Sequence, residues 1–265
     1  MGIPNASVVE ARSTFWLTLN AAQWTDPDPL GEGTVGPLRL DYRERDPSGW
    51  LVVHLLLGRR QMTARVFFDR TIRIPVLAVP STAHWSWWEI VMSFTPNEWL
   101  SHWPFVRQAE GHVLIGGLGL GMVVRYLQEE PTVTRLTVIE RDPHVVRLIR
   151  DRLNAKVDVI VGDFWEEVRR FPDATFDSAW VDIWNEVHGT RTPEHRKAEA
   201  ACRRVVKKGG VAKAWMGVVP FDTWCDFLSG SIPSPYRERN RNARPTTLLR
   251  RRRSGQARLA VASGD

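Results

Sequence analysis

From residue 111 to 216, short apolar runs alternate with amphipathic stretches, and the hydrophobic period switches repeatedly between that of a strand and that of a helix. Val113–Ile115, Leu136–Glu140, Val157–Val161, Ser178–Asp182 and Val211–Met216 read as strands. Met122–Glu130, Pro143–Asn154 and Pro193–Val206 read as helices, the last opened by Thr192-Pro193. The last strand follows Lys207-Lys208-Gly209-Gly210. Strands alternating with helices imply a mostly parallel sheet covered on both faces, so the fold class is α/β, Rossmann-like and doubly wound.

The rest of the chain has a different texture. Residues 1–35 are rich in Pro, Gly and Asp, with one strand-like run at Thr14–Leu19, and predict an extended entry segment. Residues 36–110 predict a small β-rich region that ends in a helix. Trp50–Leu57, Thr63–Phe68 and Ile72–Ala78, separated by Gly58-Arg59-Arg60 and Asp69-Arg70, suit an antiparallel meander. Thr95-Pro96-Asn97-Glu98 offers a hydroxyl cap, a first-turn proline and an acid, so a helix of about ten residues starts there. Residues 111–230 form the nucleoside-binding domain on this reading, with Phe221–Leu228 as a late helix, and 231–265 a basic tail.

The junction of the first strand and helix carries the most chemistry. Gly116, Gly117, Leu118, Gly119 and Gly121 form a turn whose glycines are expected to take positive φ and let a ligand approach the backbone. Glu140 ends the next strand, where an acid can hydrogen-bond a ribose diol. Counting G-x-G-x-x-G from Gly117 places Met122 at the third glycine, and no Gly-Lys-Ser/Thr follows, so a ribose ligand without pyrophosphate fits better than NAD or ATP. Glycine turn, Glu140, Asp163 and Asp182 all sit at strand carboxyl ends, where one crevice collects them.

Composition adds limits. The 265 residues, 43% hydrophobic, suffice for a packed core. Cys202 and Cys225 form no C-x-x-C pair, which points to a reducing cytoplasm and to no metal knuckle. Met1–Leu30 does not resemble a signal peptide, and no apolar run approaches the roughly 18 residues of a membrane-spanning helix. The net charge of +6 is concentrated in Arg237, Arg239, Arg241, Arg244 and Arg250–Arg253. That stretch reads as a solvated tail or as an arm that contacts nucleic-acid phosphates. Of the 13 tryptophans, Trp85, Trp87, Trp88, Trp99 and Trp103 cluster before residue 105 and read either as core or as a pocket for a flat substrate.

These residues resemble the class I S-adenosylmethionine-dependent methyltransferase fold, and within it the spermidine-synthase-like branch, over about residues 90–216. The resemblance implies S-adenosyl-L-methionine as cofactor. Gly116, Gly117, Leu118, Gly119 and Gly121 would hold its methionine part and Glu140 its ribose. Gly162 and Asp163 would meet the adenine, with Phe164 or Trp165 and Arg141 near the ring. Ile115 stands where the wider family carries an acid, as in spermidine synthases. Two departures weigh against polyamine synthesis: Gly119 replaces the acid that contacts the aminopropyl ammonium, and Asp182-Ile183-Trp184-Asn185-Glu186 retains only the first acid of Asp-Ser-Ser-Asp-Pro. The expected activity is methyl transfer to a small molecule or an exposed group of a macromolecule. Aminopropyl transfer, or a non-catalytic nucleic-acid-associated role, is the alternative, and a homodimer is allowed.

Asp182 is the expected catalytic residue, as base or orienting group, with a structural role for its carboxylate as the alternative. Trp184, Asn185, Glu186 and His188 follow on a loop where substrate contacts collect. His188 reads as a base or as a solvated side chain. His84 and His102 lie in the tryptophan-rich stretch, where packing accounts for them.

Overall fold

A computed structural model describes residues 14–81, 88–184 and 191–236. The elements run β1 (Thr14–Leu19), β2 (Gly33–Val35), β3 (Leu38–Arg45), β4 (Leu51–Leu57), β5 (Arg60–Phe68), β6 (Ile72–Pro80), β7 (Trp88–Ser93) and α1 (Pro96–Val106). Then come β8 (Gly111–Gly116), α2 (Met122–Leu127), β9 (Val133–Glu140), α3 (Pro143–Ile149), β10 (Val157–Val161) and α4 (Phe164–Arg170). The described chain finishes with β11 (Phe176–Val181), α5 (Pro193–Val205), β12 (Val206–Ala214), β13 (Val219–Pro220) and α6 (Phe221–Leu228). Among the described residues, no helix is long and apolar enough to cross a membrane.

The central sheet has the order β10-β9-β8-β11-β12, and every pairing in it is parallel. Strand order therefore reverses between β8 and β11, the switch point at which ligands bind in open α/β sheets. Its three central strands are buried on both faces: Val113, Leu114, Val138, Ile139, Ala179 and Val181 are all nearly inaccessible. The last strand, expected from Val211, begins at Val206, and Lys207–Gly210 form a bulge inside β12. The register jumps from Phe176 opposite Val206 to Ser178 opposite Val211, with Gly209 at φ +90°.

Two smaller sheets precede it, β2-β3-β6-β7 and β1-β5-β4-β13. Of the three runs expected to pair in order, β4 and β5 form an antiparallel hairpin, but β6 leaves for the other sheet, where it pairs antiparallel with β3 and β7. At the edges of the second sheet β1 lies parallel to β5 and β13 parallel to β4. Both parallel pairings join segments far apart in sequence, which local turn signals cannot report. The chain after residue 216 thus packs on the N-terminal sheet. The entry segment is pinned as well, since Arg125 forks onto Asp26 at 2.8 and 3.1 Å and Arg152 meets Asp28 at 2.9 Å.

Helix α1 links the two halves. Thr95 and Glu98 form a reciprocal capping box, with Pro96 in the first turn. Its Asn97 accepts from the His54 N–H at 2.8 Å and donates to the Gly217 carbonyl at 3.1 Å. Trp99 is fully buried, 4.9 Å from the Tyr126 ring, and its indole N–H reaches the Pro233 carbonyl at 2.9 Å. Such anchoring fixes the rotation of α1, so that Glu98 and His102, four residues apart, share one face.

Candidate functional site

A cavity of about 570 Å³ opens at the carboxyl ends of β8, β9 and β11, within the range of small-molecule sites. Its wall includes Gly117, Leu118 and Gly119 of the glycine turn. Gly117 has φ +89°, and a Cβ there would lie 1.9 Å from the Asp182 carbonyl oxygen. The same close approach is seen from the other side, where the Asp182 N–H donates to the Gly116 carbonyl at 2.7 Å. Gly119 also has positive φ, +55°.

Gly116 and Gly121 act differently from the expectation. Neither lines the cavity. Gly116 does not take positive φ; it closes β8, and its missing Cβ makes room for the Phe164 ring at 2.7 Å and Val181. Gly121 is left-handed, φ +79°, and caps α2 against Ile149.

Glu140 sits on the wall at the end of β9, 8% exposed. Each carboxylate oxygen accepts one backbone N–H at 2.8 Å, Oε2 from Leu118 and Oε1 from Asp142. A carboxylate oxygen has two lone pairs, so both retain capacity for a ligand. Arg141, Gly162, Asp163, Phe164 and Trp165 complete this side. Asp163 caps α4 through Oδ1, accepting from Trp165 N–H at 2.8 Å and Glu166 N–H at 3.3 Å.

Asp182 follows β11 on the cavity wall, with its Oδ2 3.7 Å from His102 Nε2. Burial first, then the negative charges of Glu98 and Glu140, push the Asp182 carboxyl well above its usual range. Glu98 is pushed up to about 7 by burial, against the lowering effect of its bonds to Thr95 N–H and to Ser93. His102 is only 7% exposed, and burial brings its pKa down to about 3, so the ring is neutral near pH 7. Its Nδ1 is buried without a hydrogen-bond partner. The ring stacks 5.8 Å from Trp215 and stands edge-on 5.5 Å from Trp180, and both tryptophans border the cavity.

Sequence reasoning left His102 as packing and did not single out Glu98 as a site residue. The available signal was their spacing: an acid and a histidine at i and i+4 just past a helix start, on the helix that precedes the strand leading to the glycine turn. Trp184 lines the cavity with its ring 4.4 Å from His195, whereas Asn185, Glu186 and His188 lie outside the described residues. So do His84, Trp85, Trp87 and the arginine tail. Trp99 and Trp103 pack against Tyr126, and Trp88 is exposed on β7; none of the three borders the cavity. The cavity tryptophans are Trp165, Trp180, Trp184 and Trp215.

Charge on the wall is one-sided. Among the described residues, Glu98, Glu140, Asp142, Asp163 and Asp182 line the cavity with a single guanidinium, Arg141. Such a field suits a cationic ligand and penalises a pyrophosphate.

Residues 113–210 match the family model of a methyltransferase domain. Over 98 residues the chain is 35% identical to polyamine aminopropyltransferase 2 of Streptomyces coelicolor, which covers 33% of this chain and 18% of that relative. The chain thus spans less than a fifth of that relative's length. Spermidine synthase from Thermotoga maritima is similar at 19% identity and TM-score 0.36, with 52% of each chain covered. A S-adenosylmethionine-dependent methyltransferase from Archaeoglobus fulgidus is similar at 18% identity and TM-score 0.34, over 43% of this chain and 49% of that one. The methyltransferase-domain match coincides with the β10-β9-β8-β11-β12 sheet and its glycine turn, and this part of the chain has the class I S-adenosylmethionine-dependent methyltransferase fold.

Proposed function

We propose that this protein is an S-adenosylmethionine-dependent methyltransferase. The observation that carries the reading is the meeting, in one cavity at the sheet's switch point, of Gly117, Leu118 and Gly119 with the buried Glu140 carboxylate and Asp182. When bound, S-adenosylmethionine would supply an electrophilic methyl group on a sulfonium. Glu140 would accept the ribose hydroxyls while keeping its bonds to the Leu118 and Asp142 N–H groups. Oδ2 of Asp163, free of the helix cap, would meet the adenine edge with Phe164 beside it. The bare backbone of Gly117 and Gly119 would admit the amino-acid part.

Asp182 is assigned the proton. Methyl transfer needs a nucleophile with a free lone pair held in line, and a carboxylate with an elevated pKa is a better base than an ordinary one. His102, held neutral by its burial, is a second acceptor next to it. Trp184 would border the acceptor from the loop side.

The matched polyamine aminopropyltransferase favours a second reading, aminopropyl transfer from the decarboxylated nucleoside. Gly119 and the loss of acids after Asp182 weigh against it. Calorimetric titration with S-adenosylmethionine, S-adenosylhomocysteine, decarboxylated S-adenosylmethionine and NAD separates the two. The methyltransferase reading expects micromolar binding of the first two. Preference for the decarboxylated compound would replace it with aminopropyl transfer, and preference for NAD would remove both.

A further inference from the structure

The cavity has more room and more chemistry than the nucleoside subsite uses. Beyond Glu140 and Asp163, its wall comes from the N-terminal sheet and α1. The β2-β3-β6-β7 sheet contributes Leu38, Leu77, Val79, Ile90 and Met92, and none of its described residues on the wall is charged. Ile90 is 49% exposed, so this apolar face continues outward to solvent. At the inner end of the same face stand Glu98, His102 and Asp182.

That inner end lacks a partner of its own. Among the described residues, the Asp182 carboxylate accepts no hydrogen bond, and its Oδ2 lies 3.7 Å from His102 Nε2. The His102 ring is more than nine-tenths buried, and its Nδ1 is unsatisfied. The Asp182 side chain keeps 28% of its surface accessible, so its carboxylate can accept from a donor on a ligand. Trp180 and Trp215 flank the His102 ring. Carboxylates beside a neutral imidazole select a cationic donor over a neutral or anionic one.

We propose that the acceptor taken by this cavity is a lipophilic amine, with one ammonium held at Asp182 and Glu98 beside His102 and an apolar body laid along the β3–β6–β7 wall. The proposal rests on the methyltransferase reading and narrows its substrate class. An ammonium has no lone pair, so before transfer one N–H bond breaks, its electron pair stays on nitrogen, and the proton forms an O–H bond with the Asp182 carboxylate. A polyamine is excluded by the same wall. Its second and third ammonium groups would lie against Leu77, Val79 and Met92, where an unpaired charge loses its hydration without compensation.

Calorimetry on the full chain, with and without saturating S-adenosylhomocysteine, tests this with three probes: 4-phenylbutylamine, its isostere 4-phenylbutanol, and spermidine. The expected result is that the amine binds at least tenfold tighter than the alcohol and tighter than spermidine. Glu98→Gln and Asp182→Asn should each weaken the amine at least fivefold and leave the alcohol unchanged. Equal affinity for amine and alcohol, tighter binding of spermidine, or no binding of the amine in either state overturns the proposal. Amine preference that persists in a protein unable to bind S-adenosylhomocysteine would support the amine site and sink the methyltransferase reading. The amine-to-alcohol comparison uses the unaltered protein, so it stands even if a variant fails to fold.

Discussion

On the sheet side of the cavity, Gly117, Leu118, Glu140 and Asp182 are held by backbone: Glu140 by two N–H donors, Asp182 through its N–H to Gly116, and Gly117 by contact with the Asp182 carbonyl. On the opposite side, Leu38, Leu77, Val79, Ile90 and Met92 present only side chains from a separate sheet. The first wall therefore tolerates little change, because moving one atom strains a strand end. The second can change in shape without unfolding the sheet, since apolar side chains of similar volume substitute at modest cost. One fold can thus hold the strand ends constant and vary the shape of the facing wall.

The strongest attack on this contrast is Gly117→Ala. A Cβ placed 1.9 Å from the Asp182 carbonyl, at φ +89°, forces the backbone apart. The expected loss is roughly 3–5 kcal/mol, combining overpacking with left-handed strain, read as the urea midpoint. A midpoint unchanged within error would mean that the two loops are not held together as described.

Asp182→Asn should lower turnover about 10²–10⁴-fold, the usual scale for a lost general base, with S-adenosylhomocysteine affinity retained. Full activity would reduce Asp182 to a loop-fixing role. Glu140→Ala should weaken S-adenosylmethionine by about 1–3 kcal/mol, the scale of lost hydrogen bonds to a charged group. A folded variant with undiminished affinity would take Glu140 out of the site.

Glu98 gives a signature in pH. Its pKa is raised in the folded protein from the usual 4.5 to about 7, so the folded state holds the proton more tightly. Its contribution to stability is fully present below 4.5 and is lost as pH rises through 7. The groups around it are Ser93, the Thr95 N–H and the Asp182 carboxyl. Relative to Glu98→Gln, the wild type should therefore lose stability between pH 4.5 and 7. Parallel curves for the two proteins would contradict the burial of this carboxyl. His102, whose pKa is lowered, acts in the opposite direction, losing its contribution as pH falls from 6.5 toward 3, and cancels from that comparison.

The smallest effect belongs to the apolar wall. Ile90→Ser, at the half-exposed rim, should raise the acceptor KM about two- to fivefold, as expected for partial loss of apolar burial, without touching cofactor affinity. A change in cofactor affinity instead would show that the two walls are not separable.

The central sheet, the glycine turn, Glu140 and Asp182 were legible in the sequence because their signals are local. Apolar runs of strand length, glycines at fixed spacing and acids at strand ends follow from backbone geometry within a few residues. Helix α4 was not read, although Asp163 caps it and Phe164 and Val168, one turn apart, bury its inner face. The role of Gly116 was misjudged because the reason for a glycine there is Phe164, forty-eight positions later, and not its own φ. His102 looked like packing for the same kind of reason: its ring does pack on Trp180 and Trp215, but only the docking of α1 places it beside Asp182. The pairing of β13 with β4 and the apolar face that closes the cavity likewise depend on contacts between distant segments. Local sequence fixes which strand ends carry the nucleoside chemistry. Which side chains complete the acceptor end is decided by how two sheets and one helix come to rest on each other, a matter of long-range packing that no local pattern encodes.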